Sequence, residues 1–310
     1  MRRIVLLTAV LVVGLAAAAC IPAPTPQPTT TTIVPCTSAP ATDIAYAAAP
    51  GVDPAVLSLD VRPAPGACTG APTPVVVWVH GGGWAIGDKA NVASKATWAA
   101  AHGWTFVSVD YRLSPAEPSD DPKRVMHPTH VQDVADALAW IADHVDEYGG
   151  DPSRLALIGH SAGGHLVSLV SVDATYLDNA GAPAELVDCT VSLDTEGYDL
   201  LQKVEGGESS AAMVHNAFGD DPAVLRAASP IHQITDGERL PSFLIITRGT
   251  AARRALAASF HSTLLDAGGE ADFLMVSGYS HADVSRRLGD PTDTEVTPAV
   301  TDLITRCVAP

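Results

Sequence analysis

Short apolar runs alternate with amphipathic stretches along most of this chain, and their order predicts its architecture. Val75-Val76-Val77-Trp78-Val79 is continuously apolar, the pattern of a strand buried on both faces of a parallel sheet. Runs at 106–109, 155–158, 190–193, 243–247 and 273–276 read as further strands. Val131, Val134, Leu138, Ile141, Val145 and Tyr148 recur at three- and four-residue spacing, which predicts one apolar helix face. A helix over 251–267 separates the last two strands, and Thr297-Pro298 predicts the cap of a final helix carrying Val300, Leu303, Ile304 and Cys307. Residues 44–48 and 56–61 alternate as two antiparallel strands joined by a Pro-Gly-containing turn. The whole predicts an α/β fold: a doubly wound, mostly parallel sheet with antiparallel N-terminal strands. Residues 199–240 break the alternation and read as a small cap over the sheet edge.

The N-terminus departs from this pattern. Arg2 and Arg3 precede an apolar stretch over 4–15 and small residues over 16–19, which reads as a signal peptide over 1–19. Cys20 follows at once, and the arrangement resembles the lipobox of bacterial lipoproteins, in which that cysteine is lipidated. Ala17 stands where a larger aliphatic residue is commoner, so ordinary secretion is the alternative. Residues 20–35 are rich in Pro and Thr and read as an extended tether, leaving 36–310 as the folded domain.

Export changes how the cysteines are read. Beyond Cys20 the chain holds Cys36, Cys68, Cys189 and Cys307, an even set with three possible pairings. We favour Cys36 with Cys68, flanking the N-terminal hairpin, and Cys189 with Cys307, tying a late strand to the last helix. There is no Cys-x-x-Cys pair, so neither a metal nor a redox role is expected. Acidic residues outnumber basic ones 35 to 18, for a formal charge of −17 over 310 residues. Without a Lys/Arg cluster, nucleic acid and anionic membrane faces are poor electrostatic partners, and solubility is the simple reading.

The chemistry concentrates in three places. Gly159-His160-Ser161-Ala162-Gly163 follows an apolar strand and precedes a helix-like run, the sequence form of a sharp strand-to-helix turn that exposes one serine hydroxyl. Helix capping is the bland alternative for such a serine. His80-Gly81-Gly82-Gly83-Trp84 follows the strand ending at Val79, and successive glycines let backbone N–H groups face a site unobstructed. Gly81, Gly82 and Gly83, with the amide of Ala162, are the candidate oxyanion donors, and Trp84 is a candidate pocket residue.

These two motifs, with Asp110-Tyr111-Arg112-Leu113-Ser114-Pro115 and Ser229-Pro230, resemble the α/β-hydrolase esterases of the hormone-sensitive-lipase-like and carboxylesterase type, over roughly 44–306. The resemblance implies cofactor-free hydrolysis of carboxylic esters through an acyl-serine. It also implies an architectural role for Asp110 and Arg112, packing the glycine loop. His281, just beyond the last strand, stands where the family carries its base.

The acid departs from the family pattern. Such esterases carry an Asp after the penultimate strand, but here that turn reads Thr247-Arg248-Gly249-Thr250-Ala251-Ala252-Arg253-Arg254. Asp194, in the turn after the preceding strand, is the favoured replacement, with Glu196 and Asp199 as local rivals. A missing acid, and hence a weakened enzyme, is the other alternative. Three functions follow: a carboxylesterase acting on small or short-chain esters, an amidase or formamidase with the same machinery, or a cell-surface binding protein on a degenerate scaffold.

Overall fold

The computed structural model describes residues 36–205 and 208–309. The predicted signal peptide, Cys20 and the tether therefore lie outside the described residues. Eight strands form one sheet: β1 Ala41–Ala45, β2 Ser58–Arg62, β3 Thr73–Val79, β4 Thr105–Val109, β5 Gly150–His160, β6 Cys189–Leu193, β7 Ser242–Thr247 and β8 Ala271–Met275. Their order is β1-β2-β4-β3-β5-β6-β7-β8, antiparallel through β1, β2 and β4 and parallel from β4 to β8.

The helices are α1 Lys95–Ala101, α2 Thr129–His144, α3 Ala162–Val172, α4 Thr175–Ala180, α5 Leu200–Glu205, α6 Glu208–Phe218, α7 Pro222–Ala227, α8 Ala251–Asp266, α9 His281–Arg286 and α10 Val296–Cys307. Strand periodicity divides them between two faces. Val75, Val77 and Val79 pack with Leu155 and Leu157 against the buried stripes of α2 and α3. Val76, Trp78, Ala156 and Ile158 point the other way, towards Trp98 of α1 and Val300, Leu303 and Ile304 of α10. Helix α8 covers Phe243 and Ile245 with Leu256, Phe260 and Leu264. Among the described residues, no helix is long and apolar enough to cross a membrane.

Among the element boundaries that differ from expectation, including a β5 that starts five residues early, three have a local reason. Strand β1 begins three residues before the predicted alternation, because its register slips between Ala41 and Ile44, where Asp43 takes φ 56°. Residues Pro54–Leu57 form a 3₁₀ turn rather than the start of β2, since Asp53 accepts the Ala55 N–H and Pro54 opens the turn. Helix α10 starts at Val296, so Thr297 and Pro298 lie inside its first turn instead of capping it. Cys36 is bonded to Cys68, and Cys189 at the head of β6 is bonded to Cys307 at the end of α10.

Register explains where a site forms. Val79 pairs with Gly159, His160 with Leu193, and Leu193 with Ile246. The loops leaving β3, β5, β6 and β7 therefore emerge at one level of the sheet's C-terminal edge, where ligands bind in open α/β sheets. The segment holding α5, α6 and α7 lies at this edge: Phe218 packs edge-on against the Trp84 ring, 4.9 Å between centroids.

Candidate active site

Ser161 sits between the last residue of β5 and the first of α3, at φ 55° and ψ −118°. A serine there is strained, and strain of this kind costs on the order of 1–3 kcal/mol unless the surroundings enforce it. They do so by close packing. A Cβ on Gly163 would lie 2.3 Å from the Val79 carbonyl oxygen, so α3 can start against β3 only with glycine there. The Ser161 N–H donates to Leu193 O at 2.8 Å, pinning the turn to β6.

The next strand end presents the carboxylate. Asp194 follows Leu193 directly, at φ 49°, a left-handed conformation that Asp tolerates better than most residues. Its N–H donates to Ile246 O at 2.7 Å and its side chain is fully buried. His281, the first residue of α9, completes the group. Its Nε2 lies 2.9 Å from Ser161 Oγ and its Nδ1 lies 2.6 Å from Asp194 Oδ2. With Nδ1–H donating to the carboxylate, Nε2 is left as an acceptor facing the serine hydroxyl.

Two arginines close around the acid. Arg253 Nε donates to Asp194 Oδ1 at 2.8 Å, and Arg248 Nε donates to Asp194 Oδ2 at 2.8 Å. Burial by itself raises this carboxyl's pKa. The His281 hydrogen bond and the Arg253 charge outweigh it and hold Asp194 below the usual carboxylate range. Both arginines come from the turn after β7 and the start of α8, the stretch that lacks the family's Asp. Their positive charges complement an acid carried on β6.

The rival carboxylates are engaged elsewhere. Glu196 pairs with Arg253 Nη1 at 2.6 Å and Lys203 Nζ at 3.4 Å, and Asp199 lies 3.5 Å from His232 Nε2. Asp283 caps its own helix with Ser280, accepting the Ser280 N–H at 2.9 Å.

His160 has a part that its sequence position concealed. Its Nε2 donates to the His281 carbonyl at 2.9 Å, and the two rings lie 4.6 Å apart. Burial, and then the neighbouring His281, push its pKa down to about 3, so it stays neutral. It ties the turn bearing His281 to the strand bearing Ser161.

The glycine run passes beside the serine: a Cβ on Gly81 would fall 3.0 Å from Ser161 Cβ. Gly82 takes φ 126°, and its carbonyl accepts the N–H groups of Ala85 and Ile86, both at 3.1 Å. The resulting turn leaves the Gly82 and Gly83 amides without a protein acceptor among the described residues. Ala162 heads α3, where the first amides have no intrahelical partner. The loop is braced from behind. Tyr111 Oη donates to His80 O at 3.0 Å, and Ser114 N donates to Trp84 O at 2.8 Å. Asp110 accepts the Lys89 N–H at 2.6 Å, and Arg112 Nε meets Asp133 at 2.8 Å.

Trp84 lines the cavity but is only 3% exposed. Its Nε1–H is taken by His165 Nδ1 at 3.1 Å, while His165 Nε2 donates to Ala228 O at 2.7 Å. Trp84 thus joins the glycine loop to α3 and the helical segment, and offers little surface to a ligand. The cavity at Ser161 and His281 is about 310 Å³. Beyond Gly83 and Met213 lies an apolar compartment of about 290 Å³, bounded by Ala85, Ile86 and Pro118. A larger cavity of about 840 Å³ lies at the opposite edge, against Pro152, Ser153, Leu186 and Asp188, remote from the serine.

A parallel sheet with a serine at the β5–α3 turn, a carboxylate after β6 and a histidine after β8 defines an α/β-hydrolase fold. More narrowly, the chain belongs to the BD-FAE family, whose model matches residues 63–254. It is 34% identical over 188 residues to Esterase LipC of Mycobacterium tuberculosis, covering 56% of this chain and 43% of that protein. Esterase LipQ of the same organism is 29% identical over 222 residues, covering 68% of this chain and 50% of that protein. The chain spans about half the length of these relatives. Among solved structures, the Pyrobaculum calidifontis esterase is similar at a TM-score of 0.62 and 26% identity, over 81% of each chain. A carbohydrate esterase from gut microbiota reaches a TM-score of 0.70 at 19% identity, over 88% of this chain and 97% of that one, a likeness of fold.

Proposed function

We propose that this protein is a serine carboxylesterase. The observation that carries the reading is the unbroken chain of hydrogen bonds from Ser161 Oγ through His281 to Asp194, at 2.9 and 2.6 Å. In the proposed reaction, Ser161 Oγ attacks the acyl carbon while His281 Nε2 accepts the hydroxyl proton. The oxyanion that forms is met by N–H groups of the glycine run and of Ala162. Collapse breaks the bond to the alcohol oxygen, which takes the proton from His281. Water, activated by the same nitrogen, then releases the acid and restores the serine. Asp194 keeps the imidazole in the tautomer this sequence requires and stabilises its cationic form. Similarity to named esterases supports the reaction class, and the complete hydrogen-bonded chain favours an active enzyme over a degenerate binding scaffold.

Turnover of short-chain p-nitrophenyl esters by the wild-type protein, lost in Ser161→Ala, is the expected result. Equal turnover by both proteins contradicts the reading.

Export with lipidation at Cys20 belongs to the same proposal. It rests on the charged, apolar and small-residue order of the first twenty positions. Cys20→Ala should move the expressed protein from the membrane fraction to the soluble one, and unchanged membrane association contradicts the anchor.

A further inference from the structure

The cavity at Ser161 has a wall that ester hydrolysis does not require. Lys203, Arg248 and Arg253 line it, and among the described residues their counter-charges are Glu196 and the buried Asp194. This is a local excess of positive charge in a chain of formal charge −17. Arg253 is fully engaged, with Nε on Asp194 and Nη1 on Glu196. Arg248 is not: its Nε meets Asp194, and its two terminal nitrogens have no acceptor among the described residues. Among the described residues Lys203 Nζ reaches Glu196 alone, at 3.4 Å, on an oxygen that Arg253 already holds at 2.6 Å. Its side chain is 10% exposed and Arg248's is 23%, so both charges are largely shielded from water.

A guanidinium fork and a weakly paired ammonium that line one cavity offer the donors a carboxylate takes. The neighbouring apolar compartment provides for the rest of a substrate without charge. We propose that Arg248 and Lys203 recognise an anionic group on the substrate, so that the preferred esters carry a carboxylate on one side of the scissile bond. This rests on the carboxylesterase reading and names the substrate class of the same site.

The test compares isosteric esters that differ in charge. On the acyl side, monomethyl succinate is set against methyl levulinate. On the alcohol side, 4-acetoxybenzoate is set against 4-acetoxyacetophenone. Intrinsic reactivity cancels when each anionic-to-neutral ratio of kcat/KM is compared between wild type and variant. In Lys203→Gln and Arg248→Gln the ratio should fall about tenfold on one side, the loss of one shielded charge-assisted contact. The side that responds identifies which half of the ester bears the carboxylate. Ratios unchanged on both sides in both variants overturn the proposal. Failure of the wild type on all four esters would count against the esterase reading instead. Calorimetric binding of the anionic ester from the responding side, monomethyl succinate or 4-acetoxybenzoate, to Ser161→Ala protein then tests the wall without turnover. Binding weakened by Lys203→Gln supports it, and absence of binding overturns it.

Discussion

Arg253 holds the far oxygen of Asp194: its Nε donates to Oδ1 at 2.8 Å, while Oδ2 faces His281 Nδ1 at 2.6 Å. The carboxylate is thus clamped between an imidazole and a guanidinium that favours its ionised form. Arg253→Leu should raise the pH at which Asp194 takes up a proton, because removing the cation removes part of what favours the charged form. The acid limb of the kcat/KM profile should move to higher pH, with the greatest activity loss on the acid side. A pH–rate profile of the variant on a neutral p-nitrophenyl ester checks this, and an unmoved limb contradicts the clamp.

His160 makes a second positional prediction. Its Nε2–H fixes the His281 carbonyl at 2.9 Å, and displacing a catalytic group by about 1 Å can cost about 10²-fold in rate. His160→Ala should lower kcat by up to about that factor with a smaller change in KM. Steady-state kinetics on the same ester decide it.

Lys95 lies beneath the site, 1% exposed, with Nζ 2.7 Å from Ser285 O and 4.2 Å from the centre of the Trp78 ring. Burial pushes its pKa down to about 7. Unfolded, it titrates near about 10.4, so between about 7 and 10.4 the unfolded chain binds more protons than the folded one. The penalty of burying the charge is therefore complete below about 7 and relieved as pH rises towards 10.4. Lys95→Met removes that penalty. Its stability relative to wild type should be greater at pH ~6 than at pH ~10, by about 1.4 kcal/mol for each unit of pKa depression. Denaturant melts at the two pH values measure the difference.

Much of this architecture is legible from patterns that sterics enforce. The run from Val75 to Val79 is apolar throughout because both faces of β3 are covered, so no alternation is possible. Gly163 stands at the turn because the Val79 carbonyl leaves no room for a side chain. The partner of His281 was harder to read. Asp194 and His281 are 87 residues apart, and only strand register brings β6 level with the loop after β8. One signal was present: Arg248 and Arg253 occupy the turn where a carboxylate was expected, the charge complement of an acid carried on the neighbouring strand. His160 gave no such sign, since its partner is a backbone carbonyl. Trp84 read as a pocket residue from its place after the glycines, yet its indole points into the packing with His165 and Phe218.

The proposed mechanism depends on the carboxylate after β6 acting as the orienting acid. Its most direct test is kcat of Asp194→Asn on p-nitrophenyl butyrate, with Glu196→Gln measured alongside. Losing the acid's control of tautomer should lower kcat by about 10⁴-fold, with the protein still folded, and Glu196→Gln should remain within about tenfold of wild type. Near-wild-type kcat in Asp194→Asn would contradict it.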